Sequence, residues 1–402
     1  MSLQNTPAAE RIHIGFFGRR NAGKSSLVNA VTGQSLSIVS DVKGTTTDPV
    51  IKTMELLPLG PVVIIDTPGF DDVGEVGALR VEKMQQALAR TDIAVLVVDV
   101  AEGLSEDDLS MLHAFEAKGL PHLTVYTKND LRPAVPASAP DACYVSALTG
   151  DGIHELKERL AHLMPRQAEK PIAFDLVRPG RLAVLVCPID SAAPKGRLIL
   201  PQQLVLRDLL DHGMGALVVR ETELTGALEA LVSAPDIVIT DSQAFRVVAA
   251  AVPDAVPLTS FSILMARYKG FLETAVRGAA AIDRLNPGDT VLLAEGCTHH
   301  RQCGDIGTVK IPGWLRAHTG QDLHIETCSG HDFPKDLSRY ALVIHCGGCM
   351  ITEREVQERM LSAVSQNVPF TNYGTAIARM TGTLERSLRP FPDLHRLIEP
   401  EV

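Results

Sequence analysis

Short apolar runs recur along the chain at intervals that leave room for a helix between them. From Ile12 to about Pro165 they read IHIGFFG, VVIIDTPG, IAVLVVDV, HLTVYTKND and ACYVSAL, with amphipathic stretches in between. This alternation predicts a mostly parallel sheet covered by helices on both faces. The segment PRQAEKP breaks the pattern, and a linker is expected there. A second stretch opens with RLAVLVCPID and continues through GALVVRE and DIVITD, separated by helical lengths such as PQQLVLRDLLDHG. A third contains TVLLAEGCTHH, DLHIETCSG, ALVIHCGGCM and VPFTNYG. The pattern therefore predicts an α/β protein in three parts, 1–168, 169–266 and 267–402, the last boundary being weakly marked. No repeat of solenoid length and no low-complexity tract interrupts it.

Length and composition agree with this division. A chain of 402 residues exceeds what one hydrophobic core serves, and 45% hydrophobic with 21% charged residues describes a globular protein rather than a disordered or fibrous one. No run of 18 apolar residues lacks a charge or a proline, and the start shows no basic segment followed by an apolar one. No membrane association and a cytoplasmic location are expected. The net charge of −10, one Trp and five Tyr argue against a nucleic-acid partner, which would call for a basic face and stacking aromatics. Seven cysteines, an odd number, suit metal ligation, catalysis or packing better than a disulfide framework. Five of them, Cys297, Cys303, Cys328, Cys346 and Cys349, lie in the last third.

GRRNAGKS, Gly18 to Ser25, fits the phosphate-binding pattern G-x-x-x-x-G-K-[ST] between a predicted strand and the helical SSLVNAVTG. Gly18, Asn21, Ala22, Gly23, Lys24, Ser25 and Ser26 are the candidate phosphate-side residues. Glycines there let backbone N–H groups close around a phosphate at a helix N-terminus. Lys24 would reach the β- and γ-phosphates and the Ser25 hydroxyl would ligate Mg²⁺. DTPG places Asp66 near the metal and the Gly69 N–H near the γ-phosphate, and GTTTD offers Thr46 as a further metal ligand. TKND supplies Thr127, Lys128 and Asp130, with Ser146 and Ala147 in SAL on the same side. Asp130 can accept from both guanine N1–H and the exocyclic amine, a pair that adenine does not offer. In that order the motifs predict binding of GTP and GDP, and Mg²⁺-dependent hydrolysis with Lys24 and Gly69 as catalytic candidates.

Residues 12–165 resemble GTPases of the TrmE-Era branch. Thr127 departs from the Asn of the usual guanine motif, and Phe70 stands where Ras-like proteins carry a water-positioning glutamine. Asn21 matches the asparagine that helps hold K⁺ in potassium-activated members of the branch; it also simply suits a turn. K⁺ activation, with Asn21 as a third catalytic candidate, is the expectation drawn from the first reading.

The remaining chemistry sits near the C-terminus. Cys297 follows TVLLAEG, and Cys346 and Cys349 follow ALVIH, so both groups lie just past predicted strand ends, where open α/β sheets bind ligands. Three thiols with His299 and His345 can converge there. Spacing alone suits a Cys₃His zinc site about as well as an iron-sulfur cluster. Cys143 and Cys187, inside apolar strands, read as core residues.

The whole chain resembles the HydF family of [FeFe]-hydrogenase maturation GTPases, on the C-x-H…H-C-x-x-C pattern together with the GTPase motifs and an α/β middle domain. The resemblance implies a P-loop GTPase domain, an α/β dimerisation domain and an α/β domain binding a [4Fe-4S] cluster through Cys297, Cys346 and Cys349. His299, His345 and Asp305 are the alternatives for a fourth ligand. It further implies a homodimeric scaffold that receives a transient diiron subcluster precursor from the radical-SAM maturases HydE and HydG and passes it to apo-[FeFe]-hydrogenase. GTP would then serve as a conformational or partner-exchange signal. A zinc-stabilised TrmE-Era-like GTPase in RNA or ribosome maturation is the alternative, and a redox sensor toggling a Cys346–Cys349 disulfide is a third reading. Arg267 and Lys269 are expected on a solvated surface.

Overall fold

A computed structural model describes residues 8–33, 50–69, 83–131, 141–163, 170–189, 198–296 and 306–398. The chain divides into two compact units, Met1–Ala168 and Glu169–Val402.

The first unit is built on β1 (Ile12–Phe17), β2 (Val50–Leu56), β3 (Gly60–Asp66), β4 (Ile93–Asp99), β5 (His122–Thr127) and β6 (Ala142–Tyr144). They form one sheet in the order β2-β3-β1-β4-β5-β6. Only β2 runs antiparallel to its neighbour. Every residue of β4 is buried, because alternate side chains face two different cores. Ile93, Val95 and Val97 pack with Leu27, Val28, Leu156 and Leu160, whereas Ala94, Leu96 and Val98 pack with Met111 and Phe115. An all-apolar run is what a strand covered on both faces requires. After β1 the chain progresses first to β3 on one side and then to β4 on the other. The loop leaving β1 therefore opens at the crevice created by that reversal.

The helix Glu106–Ala117 starts with a capping box in which Ser105 Oγ accepts from Asp108 N at 3.2 Å and Asp108 Oδ2 accepts from Ser105 N at 2.9 Å. The same Asp108 oxygen accepts from Arg19 Nε at 3.1 Å, so the cap of this helix also anchors the loop after β1.

The second unit holds two parallel sheets. In chain order its strands are β7 (Leu182–Val186), β8 (Gly215–Val219), β9 (Ile237–Thr240), β10 (Leu258–Ser260), β11 (Thr290–Glu295), β12 (His324–Ser329), β13 (Leu342–His345) and β14 (Phe370–Asn372). They pair as β10-β9-β7-β8 and β12-β11-β13-β14. The helices Phe261–Tyr268 and Leu272–Ala279 join the sheets, and the expected boundary at 266/267 falls inside the first of them. One core runs through both sheets, from Leu185 and Ile239 through Phe261, Leu264, Phe271 and Ala275 to Leu292, Val343 and Phe370. Lys269 corrects the solvated reading: it is 1% exposed and donates to Ile351 O at 2.6 Å. Arg267 pairs with Asp175 across the start of the unit. No helix among the described residues is long and apolar enough to cross a membrane.

Candidate functional site

The loop after β1 folds around an ammonium group. Lys24, 8% exposed at the start of the helix Lys24–Thr32, donates from Nζ to Gly18 O at 2.7 Å and Arg19 O at 2.6 Å. Ser25 Oγ donates to Asp66 Oδ2 at 2.8 Å, bringing a hydroxyl and a buried carboxylate together at the end of β3. Hard oxygen donors of these two kinds, beside a phosphate loop, fit Mg²⁺. Gly69 lies directly against the loop, since a Cβ there would come within 2.7 Å of Arg20 N. Only a glycine brings that backbone so close. Ser26 follows in the first helical turn, half-buried, and Asn21 is exposed at the loop's tip with φ +58°. Thr46 and Phe70 lie outside the described residues.

Two of the guanine-side residues, Thr127 and Lys128, are tied to the same loop. Thr127 Oγ1 donates to Ala22 O at 2.6 Å and contacts Val98 O at 3.2 Å. A Cβ on Gly23 would sit 3.2 Å from that hydroxyl, so Thr127 is wedged under the phosphate loop. Lys128 Nζ donates to Asn21 O at 2.9 Å and to Asp99 Oδ2 at 2.7 Å. Burial raises the Asp99 pKa, but the Lys128 hydrogen bond, the Ala101 N–H and the charges of Lys128 and Arg19 together outweigh it and hold the carboxyl below its ordinary value. Asp130 accepts from Ser146 Oγ at 2.5 Å, and the buried Ser146 accepts in turn from Leu148 N and Thr149 N. Ala147 sits between them, half-buried. Thr127 and Lys128 are thus joined to the phosphate loop, while Asp130 and Ser146 form a pair of their own just after β5 and β6.

At the other end of the chain, β13 runs out into the turn Cys346 to Cys349. Cys346 N donates to Ala294 O at 2.8 Å, continuing the sheet by one bond. Its sulfur accepts from Gly296 N at 3.0 Å and Gly348 N at 3.4 Å. Burial pushes the Cys346 thiol up, and these two N–H groups work against that rise. Gly348 has φ +64°, and a Cβ there would lie 2.8 Å from Val356 Cγ2. The turn needs glycine for both reasons. Cys349 is half-buried.

Cys297, His299 and Asp305 lie outside the described residues, and among the described residues no three His, Cys, Asp or Glu side chains converge at metal-ligand spacing. A sulfur that collects two backbone N–H groups at a glycine-bent strand end has the chemistry of a thiolate ligand. The donor set present therefore fits one side of an iron-sulfur or zinc site.

His345 is fully buried. Its Nδ1 lies 2.7 Å from Cys346 O and its Nε2 lies 3.2 Å from Arg359 Nη1. Burial, with the Arg359 charge adding to it, pushes its pKa down to about 3. Sequence reasoning missed Arg359, and it counted Cys328 among the late cysteines without giving it a place at the turn. Cys328 stands on β12 opposite Ala294, the residue that pairs on its other side with His345. Burial pushes the Cys328 thiol up to about 11, with Arg359 pulling the other way and Cys346 adding to the rise. Spacing gave no sign of either, because strand pairing brings Cys328 to the turn and the packing of the helix Glu353–Ser365 brings Arg359.

Comparison with known proteins divides the chain in the same order. Residues 13–128 match the family described as 50S ribosome-binding GTPase, 172–270 the hydrogen maturase F dimerization domain, and 273–390 the hydrogen maturase F tetramerization domain. The tetramerization match adds an assembly role to the part expected only to bind a cluster. The tRNA modification GTPase MnmE of Chromobacterium violaceum is 36% identical over 160 residues, 39% of this chain and 35% of that protein. GTPase Der of Kosmotoga olearia is 32% identical over 170 residues, 38% of each chain. The chain thus spans little more than a third of the length of these curated relatives. Among solved structures, a single-residue variant of Aquifex aeolicus Era bound to GDP·AlF₄⁻ aligns with TM-score 0.33 and 18% identity, over 52% of this chain and 93% of that one. A probable GTP-binding protein engB aligns with TM-score 0.30 and 25% identity, over 38% of this chain and 97% of that one. With a GTPase domain leading into both of its characteristic assembly domains, the chain belongs to the hydrogen maturase F family.

Proposed function

We propose that this hydrogenase maturation GTPase is a nucleotide-regulated carrier. On this reading it holds a [4Fe-4S] cluster on Cys297, Cys346 and Cys349, receives the diiron subcluster precursor from HydE and HydG, and delivers it to apo-[FeFe]-hydrogenase. The observation that carries this is the Cys346 sulfur, held by two backbone N–H groups at the carboxyl end of a parallel sheet, within the segment that matches hydrogen maturase F. A cluster bound by three thiolates supplies one iron corner open to an exchangeable ligand. The protein's part is to hold the sulfurs in place at the ends of the buried strands β11 and β13.

In the GTPase domain, Lys24 would exchange its two carbonyl partners for phosphate oxygens, and Ser25 and Asp66, with Thr46, would hold Mg²⁺. Asp130 would read guanine, while Thr127 supports the phosphate loop. Asn21 would assist K⁺. Because the phosphate loop and the thiol turn belong to different compact units, GTP acts as a signal rather than as a reactant at the cluster. Assembly proceeds through the middle domain as a dimer, with the C-terminal domain contributing to a higher oligomer.

The test is anaerobic purification followed by incubation with apo-hydrogenase. Brown protein containing iron and sulfide, loss of both in C346A and C349A, and hydrogen evolution after transfer support the reading. Stoichiometric zinc without iron, together with tight RNA binding, would replace it with the RNA-maturation alternative. GTP turnover faster in K⁺ than in Na⁺ supports the Asn21 assignment, and equal rates remove it.

A further inference from the structure

Behind the thiol turn lies a buried charge network that the cysteine pattern does not contain. Arg359, in the helix Glu353–Ser365, is 4% exposed. Its Nη2 donates to Gly330 O and to Glu355 Oε1, each at 2.6 Å, and its guanidinium lies over the Phe333 ring at 5.3 Å from the centroid. Glu355 is also buried and faces His331 Nδ1 at 2.9 Å. Arg359 Nη1 lies 3.2 Å from His345 Nε2.

A guanidinium only donates, so His345 Nε2 must accept and the ring proton must sit on Nδ1. From there it points at Cys346 O, 2.7 Å away. One line of bonds therefore runs from Glu355 through Arg359 and His345 to the carbonyl of the first cysteine of the turn. Both ring nitrogens of His345 are engaged along it.

We propose that Arg359 is a positioning residue for the metal-binding turn: it locks His345 as a donor to the Cys346 carbonyl and sets a fixed positive charge beside the sulfurs, so that His345 orients the turn and does not ligate iron. The proposal rests on the iron-sulfur reading above. Several thiolates in a poorly hydrated site accumulate negative charge, which burial opposes. The Gly296 and Gly348 N–H groups supply only partial positive charge, whereas Arg359 supplies a whole one. Groups that stand behind the ligands in this way tune the potential of a metal centre. Glu355 partly neutralises Arg359, and that fixes a sign. Removing the arginine charge favours the oxidised cluster, and removing the glutamate charge favours the reduced one. A role limited to packing predicts no such opposition.

The experiment is an EPR-monitored redox titration of the full-length, anaerobically reconstituted protein as wild type, R359Q, R359K, E355Q and H345Q. R359Q is expected to shift the one-electron equilibrium about tenfold toward the oxidised form, about 59 mV lower. E355Q is expected to shift it the opposite way, and R359K to stay near wild type. The proposal is overturned if R359Q and E355Q move the potential in the same direction or not at all. It is equally overturned if a nitrogen coupling to iron in the wild type vanishes in H345Q. Should R359Q fail to fold, the upward shift in E355Q decides the matter. In the metal-free protein, ¹⁵N-histidine NMR should show the His345 ring protonated at Nδ1, and an Nε2–H tautomer would overturn the lock. A wild type with the Nδ1–H tautomer but unable to load any cluster would defeat the iron-sulfur reading and leave the lock standing.

Discussion

The phosphate loop and the thiol turn both occupy the carboxyl ends of parallel sheets, yet they solve opposite electrostatic problems. Around Lys24 the protein wraps carbonyl oxygens, at 2.7 and 2.6 Å, which on the proposed function an arriving phosphate replaces. Around Cys346 it wraps N–H groups, with a whole arginine charge one residue further back through His345. The first site is a cation held ready for exchange. The second, on the proposed function, gathers positive charge in advance around thiols that are to become thiolates. Position on an α/β sheet thus settles where a ligand binds, and the polarity of the surrounding backbone settles which sign of ligand it is.

Breaking the cationic side of this comparison gives the largest effect. Lys24→Met should lower GTP turnover by about 10²–10³-fold, the usual cost of one preorganised electrostatic donor to transferring phosphate. Iron loading measured on the same variant reports whether the two sites are chemically independent. On the thiol side, Gly348→Ala forces a left-handed φ on a residue with a Cβ and presses it against Val356. A destabilisation of about 1–3 kcal/mol is expected, read as a lower thermal midpoint together with reduced iron retention.

A smaller effect is expected at Thr127→Val, which removes the donor to Ala22 O inside the nucleotide domain. The loss of about 1 kcal/mol should appear as GTP binding weakened roughly 5–10-fold, with guanine preference over adenine retained. The smallest effect concerns Asp99. Its folded pKa is depressed, so its pairing with Lys128 stabilises the protein above the ordinary carboxylate pKa, and that contribution is lost as pH falls through the folded value. Acid unfolding of Asp99→Asn should therefore show a shallower loss of stability over that range than the wild type.

Much of the scaffold was legible because buried parallel strands are written as unbroken apolar runs; IAVLVVD is buried at every position. β2 was not legible. Ile51, Lys52 and Thr53 are exposed on it, and an antiparallel edge strand with little burial leaves no such run. The phosphate loop was legible because its parts are contiguous and its glycines answer local backbone demands. Thr127 was visible as a departure from asparagine, but its use, a hydroxyl bracing the loop at Ala22, depends on where β5 ends relative to β1. At the thiol turn the spacing disclosed the cysteines and concealed their support. Gly330, Glu355 and Arg359 come together only through the packing of the helix Glu353–Ser365 behind the turn.

The core shared by the two sheets of the second unit has a practical consequence for anyone dissecting this protein. The dimerization and tetramerization matches meet between residues 270 and 273, directly beside Phe271 and Leu272, which are both buried in that core. Severing the polypeptide there would strand these side chains and their partners Phe261, Leu264 and Phe370 in water, at about 1.5–3 kcal/mol for each large apolar group. The halves should consequently behave as sticky, poorly soluble fragments, whereas a piece starting at residue 170 keeps its interior whole.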